Sequence, residues 1–205
     1  MKLKWYGHSC FLLESAEGTV VFDPYAPDTV PGLALPELYA DLVVCSHMHS
    51  DHFYPQGVTL SGRRPSFGIQ QMDTFHDGEK GALRGDNTVT VIEADGLRTA
   101  HFGDLGHLLA PEQIAELGRI DVMLVPVGGF YTIDAKQAWA LVQAIGPRVV
   151  IPMHYRGADF GFDNIAPVED FLALAGKVQR RDSNAIDLSG IKEPVTAVLK
   201  CPVKR

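Results

Sequence analysis

The stretch VVCSHMHSDHF, Val43 to Phe53, sets His47, His49, Asp51 and His52 directly behind a short apolar run. The run, within DLVVCS, reads as a buried strand. Whatever fold this chain adopts must bring that strand's C-terminal end to a place where four polar side chains find partners. In an extended segment residues i and i+2 point the same way, so His47, His49 and Asp51 share one side and His52 follows after a turn. Imidazole nitrogen and carboxylate oxygen are the donors that suit Zn²⁺ and its neighbours in the first transition row. A lone histidine needs no metal. This density has no packing purpose, and it points to a metal site.

The surrounding pattern is strand-rich at first. KLKWYG, SCFLLE and TVVFDP are short, apolar or alternating segments, with AEG as the turn between the last two. TVTVIEA and LRTAHFG follow, joined through Asp95–Gly96 as a hairpin. After residue 110 helix and strand alternate. APEQIAELG begins near a proline and ends on a glycine, and DVMLVPV is a strand. DAKQAWALVQAIG carries Ala138, Leu141, Val142 and Ile145 at helical spacing and stops at Gly146–Pro147. RVVIPMH is the next strand, PVEDFLALAG a helix and PVTAVLK a closing strand. Two sheets packed face to face with helices outside fit this order, and so does a doubly wound sheet. Loops 27–36 and 157–167 are long enough to form functional rims.

Composition narrows the function classes. With 205 residues, 46% hydrophobic and 21% charged, the chain is expected to be one domain spanning 1–205. No apolar run approaches the ~18 residues of a spanning helix. The N-terminus meets charged residues too early for a signal peptide, so a cytoplasmic protein without membrane insertion is expected. Cys10, Cys45 and Cys201 are odd in number and far apart, which argues against a disulfide framework or a zinc ribbon; they read as small hydrophobes. A net charge of −7 argues against nucleic acid as a partner. The basic clusters Arg63–Arg64, Arg180–Arg181 and Lys204–Arg205 read as solvated surface. A small-molecule substrate is the expected partner, and a homo-oligomer is left open.

Four groups so close in sequence do not easily surround one tetrahedral ion, so further ligands belong at other strand ends. His76 in TFHDGEKG, Asp104 in HFGDLGH and His154 in VVIPMHY qualify, because loops meeting a rigid scaffold hold precise sites. Taken in order, SHMHSDH, HD, FGD and PMH resemble the metallo-β-lactamase superfamily. GHSCFLLE, RGDNTVTVIEADG, HFGDLGH and VPVGGFYTID are similar to its branch of compact metal-dependent hydrolases related to ascorbate-6-phosphate lactonase. The resemblance implies an α+β fold, a four-layer αβ/βα sandwich of two packed mixed sheets with helices on the outer faces and a dinuclear site at one edge. It implies that His47, His49 and His76 hold one metal, that Asp51, His52 and His154 hold the other, and that Asp104 bridges. Asp23 in VFDP matches a family aspartate that orders the site from behind the ligands.

The implied chemistry is that of a dinuclear hydrolase. Two divalent ions, zinc first with manganese or iron also suited, would lower the pKa of a bridging water and let hydroxide attack a carbonyl or phosphoryl centre. No G-x-S-x-G elbow competes with this reading. Two ions, two aspartates and one hydroxide leave the reacting centre net positive, which favours a small anionic ester, lactone or phosphoester. Arg84 and Arg156 are candidate anion contacts. His8 and His107 are candidate proton donors to the leaving group, whereas His101 is expected to face away from Asp104. Tyr131, Tyr155, Phe130 and Phe160 are candidates for an apolar wall. The alternatives are a phosphodiesterase or nuclease of the RNase Z type, a flavodiiron-like redox protein, and a metal-stabilised binding protein without turnover.

Overall fold

A computed structural model describes residues 1–203, so the basic pair Lys204–Arg205 lies outside the described residues. The strands are β1 (Lys2–Trp5), β2 (Phe11–Glu14), β3 (Thr19–Phe22), β4 (Leu38–Ala40), β5 (Leu42–Val44), β6 (Val58–Leu60), β7 (Gly68–Phe75), β8 (Asp86–Ala94) and β9 (Leu97–His101). Helix α1 (Pro111–Leu117), β10 (Val122–Pro126), α2 (Ala135–Ile145), β11 (Val149–Met153), α3 (Glu169–Leu172), β12 (Val178–Arg180), β13 (Ala185–Asp187) and β14 (Val195–Val198) complete the order. They form a sheet β13-β1-β2-β3-β5, a larger one β12-β14-β11-β10-β9-β8-β7, and a small pair β4-β6. The two large sheets are mixed and stack as an α+β sandwich.

Alternation builds the core. In the first sheet Leu3 faces Leu13 and Leu13 faces Val20, while Trp5 lies beside Phe11 and Phe11 beside Phe22. These side chains enter one cluster with Val89, Val91, Ala100, Leu124 and Ile151 of the second sheet. The opposite face of the first sheet, at Val21, packs with Tyr25, Leu33, Leu38 and Val58. That segment is interrupted by Pro24, Pro27, Pro31 and Pro36, which suppresses helix. It therefore covers the sheet as loops, short strands and one 3₁₀ turn at Pro55–Gly57, and all three described α-helices follow β9. Helix α2 is capped by Asp134, whose carboxylate accepts from Gln137 N at 2.9 Å, and ends at Gly146 with φ +66°.

Every strand and helix expected from the sequence forms. Strands β4, β6, β7, β12 and β13 were not expected. The eight-residue β7 is the instructive one: it lies at a sheet edge, and only Met72 and Thr74 are buried, so its sequence GIQQMDTF carries almost no apolar rhythm. Cys10 is buried, and Cys45 and Cys201 are half-buried; all three are free thiols. Among the described residues no helix is long and apolar enough to cross a membrane.

Strand direction decides where function collects. β1, β3 and β5 run one way in the first sheet, because β2 is antiparallel to its neighbours and β3 is parallel to β5. β7, β9, β10 and β11 share one direction in the second, since β8 alone is reversed among them. The residues following β1, β3, β5, β7, β9 and β11 include His8, Asp23, His47 to His52, His76, Asp104 and His154.

Candidate metal centre

Three of these strand exits turn sharply. His8, Asp23 and His154 adopt left-handed φ of 50°, 43° and 53°, a conformation that costs a non-glycine residue energy and clusters at functional sites. A fourth exit uses Gly103 at φ +54°, where an added Cβ would strike Asn87 Oδ1 and the Ser46 side chain. Asn87 Oδ1 instead accepts from Asp104 N at 2.8 Å and fixes the aspartate.

The seven expected ligands converge. Asp104 Oδ1 lies 3.2 Å from His52 Nε2, and its Oδ2 lies 3.2 Å from both His76 Nε2 and His154 Nε2. His47, His49 and His76 present donors within 4.8 Å of one another, as do His8, Asp51, His52 and His154. Asp104 belongs with His47 and His52 in a third such set, so it stands between the two groups.

Tautomers show what the cluster lacks. Ser46 Oγ donates to Asp23 Oδ2 at 2.6 Å, so in the 2.9 Å contact between His47 Nδ1 and Ser46 Oγ the ring donates and the hydroxyl accepts. His52 Nδ1 donates to Asp23 Oδ2 at 2.6 Å, and His76 Nδ1 donates to the Tyr131 carbonyl at 3.1 Å. Each ring then turns a bare Nε2 lone pair inward, the usual arrangement behind a metal ligand. His47 Nε2, His52 Nε2, His154 Nε2 and Asp104 Oδ1 are buried without a hydrogen-bond partner among the described residues. A lone pair facing a carboxylate at 3.2 Å is repelled unless positive charge, a proton or a metal ion, lies between them. The donor set fits divalent metal.

Electrostatics agree. Burial, with His52 next to it, lowers the His47 pKa to about 3, which keeps that ring neutral. Burial opposes charge on His52, but Asp104 and Asp23 outweigh it and hold its pKa well above the ordinary range: the pocket demands a positive charge there. Burial also works against ionised Asp104, yet His154 and His52 keep its pKa well below the usual carboxylate value.

A cavity of about 380 Å³ opens onto His49, Asp51, His76 and Asp104, walled by Thr29, Ser50, Arg84, Tyr131 and Phe162. Arg84 sits over the Tyr131 ring, 5.7 Å from its centroid. Asp77 organises the turn that carries Arg84: its carboxylate accepts from the backbone N–H groups of Glu79, Gly81, Leu83 and Arg84. Thr29 and Phe162 come from the two long loops read as rims.

Other expectations need correction. Arg156 is exposed, donates from Nε to the Ile165 carbonyl at 2.8 Å and lines a different cavity with Glu169 and Cys201, so it is not at the centre. His107 does not line the site cavity; its Nε2 accepts from Phe75 N at 3.2 Å and its Nδ1 donates to Leu108 O, which steadies the end of β7 next to His76. His8 is buried against Asp51, 3.3 Å from Nε2 to Oδ2, and likewise does not line the cavity. Tyr155 and Phe160 pack with Trp5 in the interior, and Phe130 points outward. His101 is structural as expected, stacked on Phe22 with Nε2 on the Ser9 carbonyl. Sequence reasoning missed Phe162 and Ser46, although Ser46 directly precedes the histidine run.

A two-sheet sandwich with a histidine–aspartate metal centre along one edge defines the class of metal-dependent hydrolases built on the metallo-β-lactamase fold. A family model for the β-lactamase superfamily domain matches residues 2–154, and the chain belongs to that superfamily. A UPF0173 metal-dependent hydrolase from Thermoplasma acidophilum is 31% identical, over 87% of this chain and 92% of the relative. A crystal structure from Thermotoga maritima, described as a zinc-dependent hydrolase of the metallo-β-lactamase superfamily, is 38% identical over 98% of both chains with a TM-score of 0.79. The metallo-hydrolase Igni18 from Ignicoccus hospitalis shares the fold at 24% identity and TM-score 0.67, over 99% of this chain and 96% of that one.

Proposed function

We infer that this metal-dependent hydrolase works with two divalent cations and cleaves a small anionic ester, lactone or phosphoester. The observation that carries the reading is the inward set of unpartnered lone pairs around Asp104. His47, His49 and His76 would hold one cation, Asp51, His52 and His154 the other, and Asp104 both. Zinc is the metal favoured by the imidazole-rich donor set, and the description of the Thermotoga relative supports it. When bound, such a pair activates a shared water near neutral pH and polarises a carbonyl or phosphoryl oxygen.

The chain's own residues supply position and exclusion. Tyr131 and Phe162 form the aromatic wall of the cavity, and Tyr131 is fixed by Asn164 Nδ2 donating to its hydroxyl at 2.7 Å. Arg84 is the cation in the lining that carries no carboxylate partner among the described residues, which leaves its guanidinium fork for a substrate anion. The dimensions suit a small molecule, and the acidic chain offers no basic track for a polymer, so nucleic acid remains disfavoured as a partner.

The test is a panel of paired anionic and neutral esters, lactones and phosphoesters on metal-loaded protein. Wild type is expected to prefer the anionic member of a pair, and Arg84→Gln to raise KM for it by about 10-fold or more with little change for the neutral one. Absence of turnover across the panel would support a binding protein instead, and equal losses on both members would remove Arg84 from anion recognition.

A further inference from the structure

The geometry points to His8 as a protein ligand of the buried cation, joining Asp51, His52 and His154 and making the two metal positions unequal. This rests on the two-cation reading above.

Four donors, one each from His8, Asp51, His52 and His154, lie within 4.8 Å of one another. Metal–nitrogen and metal–oxygen bonds of ~2.0–2.2 Å put neighbouring tetrahedral donors roughly 3.3–3.6 Å apart. His8 Nε2 stands 3.3 Å from Asp51 Oδ2, and His52 Nε2 stands 3.8 Å from the same oxygen. The His8 ring centroid is 4.1 Å from that of His154 and 4.9 Å from that of His52, so three imidazoles gather on one side of the carboxylate. A leaving-group acid would face the cavity; His8 is 1% exposed and lies behind Asp51 instead.

The backbone is built to hold it there. His8 keeps φ +50°, and its carbonyl accepts from Trp5 Nε1 at 2.9 Å and from His154 N at 3.3 Å. The second of these ties the β1 exit directly to the β11 exit, so His8 and His154 are positioned as a unit. Strain maintained by two such bonds marks a side chain whose location matters.

The consequence is an asymmetric pair. His8, His52 and His154 are fully buried and this position meets the cavity through Asp51, whereas the other includes the exposed His49 and meets it through His49 and His76. The buried cation has four protein ligands before Asp104 is added and is retained; the other keeps open coordination and exchanges more readily.

Two readouts independent of turnover test this. In ¹⁵N-histidine NMR of wild type loaded with diamagnetic cadmium-113, six of the eight imidazoles should show a one-bond coupling to the metal, with His101 and His107 uncoupled; five coupled rings, with His8 among the uncoupled, would overturn the assignment even if every His8 variant failed to fold. In chelator competition, wild type should release two ions with distinct affinities, and His8→Ala and His8→Gln, checked for folding by circular dichroism, should weaken the tighter one by about 10–100-fold. Unchanged affinities in folded variants would reject His8 as a ligand. Wild type that binds no ion would instead refute the two-cation reading itself, and His8 as a ligand with it.

Discussion

Replacing Asp104 with asparagine is expected to lower kcat by about 10³-fold or more, the largest single loss available in this protein. The side chain keeps its size, and the backbone remains held by Asn87 through Asp104 N, so the fold should survive. What disappears is the negative charge that faces His52, His76 and His154 at 3.2 Å. Its carboxylate faces rings of both donor groups, so losing its charge weakens both cation positions together. Steady-state kinetics at saturating metal, with circular dichroism on the same sample, checks this; activity within about 10-fold of wild type would mean that Asp104 does not bridge.

Asp23→Ala should produce the largest loss of stability. This carboxylate is 1% exposed and accepts from Ser46 N at 2.7 Å, Ser46 Oγ at 2.6 Å and His52 Nδ1 at 2.6 Å. Alanine strands three buried donors and releases the tautomer of His52. It also leaves Ser46 without the acceptor that orients its hydroxyl toward His47. Removing one partner from such a buried network costs about 3–5 kcal/mol, and the loss of ring orientation should weaken metal binding by roughly 10–100-fold. Urea unfolding of metal-free protein measures the first effect alone; a change below about 1 kcal/mol would show that the network carries little of the fold. Asp23→Asn, which retains one acceptor oxygen, should fall between the two.

The pattern of what the sequence disclosed follows from what each signal depends on. Candidate ligands at strand ends were legible because an apolar run followed by His or Asp is a local feature: His47, His49, Asp51 and His52 after β5, Asp104 after β9 and His154 after β11 all sit where that pattern puts them. His76 stood out as a candidate ligand while its strand did not, since β7 is a polar edge strand whose only buried residues are Met72 and Thr74. Side-chain direction was the opaque part. Arg84 and Arg156 look alike in sequence, but Asp77 folds the turn after β7 so that Arg84 meets Tyr131 at the cavity, whereas Arg156 spends its guanidinium on the Ile165 carbonyl. His8 and His107 look equally suited to proton transfer, yet one is locked behind Asp51 and the other caps the end of β7. Such choices are made by contacts of the folded chain, from 7 residues away for Asp77 and Arg84 to 43 for His8 and Asp51, and local periodicity holds no record of them.

The central claim is that two cations occupy the cluster around Asp104. Anomalous scattering from crystals of metal-loaded protein tests it most directly. The expected result is two peaks per chain about 3.5–4 Å apart, one among His47, His49 and His76, the other among Asp51, His52 and His154, with Asp104 touching both. A single peak, or peaks away from Asp104, would contradict it.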